Sequence, residues 1–149
     1  ETSIFLVRLP DETADLIFAA IIDTINGGGD QSAVAEAVER VMTWEGTEYW
    51  PNRASTIAMT ETTRAYGAGT LAAGMEQSRV TGRLLEKRWL TEVDKRVRAT
   101  HGAEHGMTIP LTAVFPVGND LMLYPGDPLA SVDEVAGCRC DLEIVDGGR

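Results

Sequence analysis

Apolar residues change their period along this chain, and that change limits the fold more than any other feature. Up to about residue 77 they recur every three or four positions, the spacing of a helix with one buried face; beyond Gly106 they fall in short runs broken by turn residues. A chain built this way is expected to be α+β, with a helical N-terminal half packed on a small, irregular, antiparallel β-sheet C-terminal half. At 149 residues and 44% apolar content it can bury one core, so the expectation is a single domain over 1–149.

The helical half reads as three segments. Pro10 and Asp11 open the first, with Leu16, Ile17, Ala20, Ile21 and Ile25 as its apolar stripe and Gly27-Gly28-Gly29 as its stop. Asp30 is placed to cap a second helix carrying Val34, Ala37, Val38 and Val41 on one face. An aromatic, turn-rich stretch runs from Trp44 to Trp50, and Pro51 suits the first turn of a third helix. From Ala54 to about Gln77 that helix carries a low-bulk stripe of Ile57, Ala58, Glu61, Ala65, Ala68, Leu71, Ala72 and Met75, which lets a neighbouring element come close.

After Gly82 the pattern shifts. Leu84, Leu85 and Trp89 suggest a strand or extended entry, and Thr91 is expected to cap a short helix through Asp94, Val97, Arg98 and His101. Strand-like runs follow at Met107–Leu111, Ala113–Phe115 and Leu121–Tyr124, with turns at Gly118-Asn119-Asp120 and at 125–128. A brief helix from Ser131 to Ala136 leads to a last strand from Cys138 to Val145.

Thirteen basic residues against twenty-three acidic ones leave a formal charge of −10, which argues against general affinity for DNA. Arg79, Arg83, Lys87, Arg88, Lys95, Arg96 and Arg98 crowd the middle third, and are read as a solvated face or as partners for the acidic ends. The longest apolar stretch, around Leu16 to Ile22, is too short to cross a bilayer, so no membrane association is expected. The chain opens at Glu1 without a readable secretion signal, and is read as a piece of a longer polypeptide or as a complete one.

Several residues are of types that carry chemistry. On a regular helix Asp94, Arg98 and His101 would share one face as a charge-assisted ladder, but Asp94 and His101 would stand about 10 Å apart, too far to share an ion or a proton. His101 and His105 have the x3 spacing of zinc sites, and Cys138 with Cys140 adds two thiols, a Cys2His2 set on paper; C-x-C is tighter than the usual knuckle. The other reading of the cysteines is a small, buried, reduced pair beside His101, since a disulfide across one residue is strained. Trp89 is expected in the core. Glu61 and Arg64, three residues apart on a helix, suit a salt bridge. Neither a G-x-S-x-G elbow nor a P-loop is present, and no nucleophile–base pair is legible.

The run 58–66, Ala-Met-Thr-Glu-Thr-Thr-Arg-Ala-Tyr, is followed by Lys87-Arg88-Trp89-Leu90-Thr91 with Asp94, Arg96, Arg98 and His101, and then by Gly106, Pro110-Leu111, Phe115, the 124–128 turn and Cys138-Arg139-Cys140. That ordered set resembles the Mu F-like phage head-morphogenesis family over nearly the whole chain, with helices over about 10–77 and a signature region over about 82–146. The helices from Arg8-Leu9-Pro10 onward look like the usual prelude of the family. His105 stands where the family is not expected to fix a histidine.

The resemblance implies a minor capsid protein of few copies, inside the virion head near the portal, with phage portal and head proteins as partners and an influence on packaged DNA or its ejection. It implies no cofactor and no enzyme activity, and marks Glu61, Arg64, Trp89, Asp94, Arg98, His101, Cys138 and Cys140 as a structural network. Two other readings stand beside it. One is a zinc-dependent hydrolase or nuclease built on His101, Cys138, Cys140 and either His105 or Asp94. The other is one module of a larger portal or toxin fusion.

Overall fold

The computed structural model describes residues 11–44 and 51–147. The turn-rich stretch expected around Trp44 to Trp50 falls, beyond Trp44, outside the described residues, as does the Arg8-Leu9-Pro10 prelude. The chain is α+β: helices α1 (Asp11–Asn26), α2 (Gln31–Trp44) and α3 (Pro51–Thr81) come first. Strand β1 (Leu85–Leu90), helix α4 (Ala99–Glu104), strands β2 (Thr108–Pro110), β3 (Phe115–Val117) and β4 (Asp120–Met122), helix α5 (Val132–Val135) and strand β5 (Asp141–Asp146) follow. Two compact units divide it, Glu1–Thr62 and Thr63–Arg149. None of the described helices is long and apolar enough to cross a membrane.

In the first unit, Ala14, Ile17 and Ile21 of α1 pack with Val34 and Val38 of α2 and with Ile57 and Ala58 of α3, while Phe18, Ile25 and Val41 close the edges. The α1 face is rotated from the sequence expectation: Leu16 is exposed and Ala14 takes its place in the core. The two helices are separated as the glycines suggest. Gly28 adopts φ +78°, and Asp30 Oδ1 accepts the Ala33 N–H at 2.9 Å, capping α2.

The second unit is built around a three-stranded antiparallel sheet in the order β2-β1-β5. Strand β1 is central, and its alternation sends Leu85, Lys87 and Trp89 to a buried face. A β3–β4 hairpin pairs Phe115 with Met122 and Val117 with Asp120 around the Gly118 turn, so β3 sits two residues later than the sequence places it, and β4 begins one residue earlier and ends two earlier. The stretch of α3 in this unit also differs from the expected stripe. Ala65, Ala72 and Met75 are exposed, and the buried positions are Gly67, Leu71 and Gly74. At two of these, glycine has no side chain to clash: a Cβ at Gly67 would lie 2.7 Å from the Pro125 carbonyl oxygen, and one at Gly74 would lie 2.7 Å from Ile144 Cδ1. Close approach is thus achieved by the absence of a side chain, not by alanine.

The basic cluster of the middle third is mostly consumed within the unit. Arg83 pairs with Asp146, Arg88 with Glu143 at 3.3 Å, and Arg79 with Glu76 at 2.6 Å. Lys87 is the exception to its solvated reading, because it is fully buried. Its Nζ donates to the Leu123 carbonyl at 2.8 Å and lies 5.4 Å from the centre of the Phe115 ring. Burial draws its pKa down to about 8, against the opposing pull of Asp127.

Candidate functional site

Chemistry-bearing side chains converge where α4, α5 and the 138–140 segment meet in the second unit. Helix α4 begins only at Ala99, so the expected helix from Thr91 does not form. Arg98 is its N-cap residue in extended conformation, and 94–97 make a turn instead. Asp94 explains the break: its Oδ1 accepts the Arg96 N–H at 2.8 Å, an Asx turn that competes with a helix start.

The Asp94–Arg98–His101 ladder is therefore not present. Asp94 instead takes a bidentate pair from Arg139, at 2.7 and 2.8 Å, which holds its carboxyl far below the usual range, with the Arg96 N–H adding to the effect. Arg98 Nη2 donates to the Ala136 carbonyl, tying the start of α4 to the end of α5.

His101 lies one turn into α4, where it is buried. Its ring stands edge-on to Trp89, centroids 5.7 Å apart, and Trp89 in turn meets Phe115 at 5.1 Å. Nδ1 faces both sulfurs, 3.2 Å from Cys140 Sγ and 3.6 Å from Cys138 Sγ. Nε2 lies 3.0 Å from Glu134 Oε2, which also accepts from Thr100 Oγ1 at 2.9 Å. Both cysteines are free and buried, and they sit just ahead of β5, not within it as expected. Thr63 Oγ1 fastens the segment by donating to the Cys138 carbonyl at 2.6 Å.

The two sulfurs perturb each other in opposite directions. A hydrogen bond from Cys140, against the opposing effect of burial and aided by one from His101, holds Cys138 well below the ordinary thiol range. Cys140 is pushed up, first by its bond to Cys138 and then by burial. Burial alone would lower the His101 pKa, but the hydrogen bond and charge of Cys138 outweigh it and raise it. The buried Trp89 N–H lies where it favours negative charge on Cys140. Glu104, one turn beyond His101, is buried too, with its pKa raised by that burial.

Sequence reasoning named four residues for a metal, and the structure brings three of them together. His101, Cys138 and Cys140 offer ligand atoms all within 4.8 Å of one another. His105 is elsewhere: at the C-cap of α4 it accepts the Thr91 N–H through Nδ1 at 3.0 Å and lines an open groove of about 510 Å³ with Thr91, Val93 and Val97. His101 is buried, whereas His105, at the helix end, is exposed. Glu134 was not legible as a site residue, because nothing in the local pattern Val132-Asp133-Glu134-Val135 ties it to a histidine 33 residues earlier. Of the remaining marked residues, Glu61 is buried, and Arg64 Nε donates to the Gly126 carbonyl at 3.1 Å.

Thiol, imidazole and carboxylate thus stand in a row, an arrangement that could in principle activate a nucleophile. The cavity beside His101 and Cys140, walled by Arg96, Arg98 and Arg139, is about 20 Å³, room for one water-sized ligand.

Known proteins align with the chain as follows. A family model described as phage Mu protein F like protein matches residues 15–143. A protein of Enterococcus faecalis named NAD(+)–arginine ADP-ribosyltransferase EFV is 28% identical over 143 residues. Those residues are 95% of this chain and only 28% of that protein. No solved structure matches.

Proposed function

The chain belongs to the phage Mu protein F like family, and from that premise we propose that it is a minor head protein acting in phage head morphogenesis, bound to portal and head proteins inside the head. The observation that carries this reading is the match over residues 15–143, which takes in every element from α2 to α5 whole, most of α1 and the first half of β5. The small space beside the site supports it, since a cavity of about 20 Å³ leaves little room for a substrate. A net charge of −10 also favours protein partners over direct, general contact with packaged DNA.

The test is fractionation of infected cells. The protein is expected to sediment with portal rings and with heads, at a few copies per particle. Its absence from both fractions, while portal and coat protein are present, would overturn the assignment.

A second reading has one specific observation behind it. The relative named as an arginine ADP-ribosyltransferase is matched over 28% of its length, which favours this chain as one module of a longer fusion in which any enzyme activity lies outside the shared segment. Sequencing the complete reading frame separates the two readings.

A further inference from the structure

We propose that His101 Nδ1, Cys138 Sγ and Cys140 Sγ form a three-ligand site for a soft divalent cation of the zinc class, with a single water-sized ligand completing the coordination from the small cavity beside them. Two thiolates and an imidazole select zinc-like metals over magnesium or calcium, which take oxygen. The spacing agrees with that choice. Zinc–nitrogen and zinc–sulfur lengths in a tetrahedron imply N···S edges of about 3.6 Å, and the two edges here are 3.2 and 3.6 Å. Both edges stand within a few tenths of an ångström of what a bound ion needs, and the third, between the sulfurs, is within 4.8 Å.

The surroundings match a metal-binding histidine. Ligating imidazoles commonly give their second ring N–H to a carboxylate, which fixes the tautomer and aims the other nitrogen. Here Glu134 sits at 3.0 Å from Nε2, and Thr100 holds Glu134. The buried indole N–H of Trp89, beside Cys140, is a donor whose hydrogen bond a metal-bound thiolate would accept. Two thiolates also neutralise a dication, so the loaded centre carries no net charge into a buried site. The ion would clamp α4 to the segment before β5 wherever the protein sits in the head.

The intact protein, purified without chelator and equilibrated with zinc, is expected to hold one zinc per chain by elemental analysis, with two sulfurs and one nitrogen in its X-ray absorption spectrum. Cobalt(II) in its place is expected to show thiolate charge-transfer absorption. Cys138→Ser/Cys140→Ser should abolish both signals, and His105→Ala should leave them unchanged. Glu134→Gln keeps the ligands and serves if the double variant does not fold: its zinc affinity is expected to fall by about 10–100-fold. Folded wild-type protein that takes up no zinc would overturn the proposal. So would zinc retained by the double variant, zinc lost on His105→Ala, or an affinity unmoved by Glu134→Gln.

Discussion

A Trp89→Ala protein is expected to lose about 3–5 kcal/mol of stability, much of what a unit of this size has to spare. The indole is fully buried on the central strand. One side meets the His101 ring and another the Phe115 ring, both edge-on. The same residue's main chain joins β1 to the 106–107 turn, with its N–H on the Met107 carbonyl at 3.0 Å and its own carbonyl accepting from Gly106 at 2.8 Å. Truncation would leave a cavity bounded by a fixed strand on one face and a short helix on the other, so collapse cannot refill it. Chemical denaturation measures the loss, and Trp89→Phe should recover most of it. A deficit below about 1 kcal/mol in Trp89→Ala would mean that Trp89 does not organise this core.

Gly126→Val is expected to be similarly damaging, by a different route. Gly126 holds φ +81°, where a β-carbon costs about 1–2 kcal/mol. Its missing side chain also makes room for α3, since a Cβ there would stand 2.8 Å from the Arg64 nitrogen and 2.9 Å from its Cα. Both are backbone atoms of a helix and cannot swing aside. The turn is otherwise held hard in place: Asp127 is buried and accepts the Leu123 and Leu129 N–H groups at 2.8 and 3.0 Å. Strain and displacement together should cost at least about 3 kcal/mol. Gly69→Ala is the internal control, because nothing lies within 4 Å of its added methyl, and it should raise stability by about 0.5–1 kcal/mol. Denaturation midpoints of the two variants that fall together, instead of to opposite sides of wild type, would contradict this account of the interface.

Local signals carried the first half of the fold well. The glycine stop, the Asp30 cap and Pro51 at the start of α3 each act through their immediate neighbours, so period and capping rules reach them. What failed depended on distant contacts. Lys87 looked like surface charge within a basic run, yet its place two residues from Trp89 on a strand put it on the buried face, a signal present in the alternation Leu85, Lys87, Trp89. Small residues on α3 were read as an alanine stripe, whereas the closest contacts fall on Gly67 and Gly74 because Tyr124, Pro125 and Ile144 press on that side.

The site divides in the same way. That His101 meets Cys138 and Cys140 could be anticipated from residue types and from their place in a resembling set of motifs. That Asp94 turns to Arg139, His105 to Thr91 and Glu134 to His101 could not, since each pairing is fixed by where β1, α4 and α5 are brought together. An Asx turn at Asp94 was enough to shorten α4 and break the expected ladder.

The central physical claim is that the His101 ring is clamped between the two sulfurs on its Nδ1 side and Glu134 on its Nε2 side. Nitrogen-15 histidine NMR tests it directly, because only two histidines contribute signals. At neutral pH the His101 Nε2 is expected to carry a slowly exchanging proton in a hydrogen bond that disappears in Glu134→Ala. A bare Nε2 with the proton on Nδ1, or a ring proton exchanging freely with solvent, would contradict it.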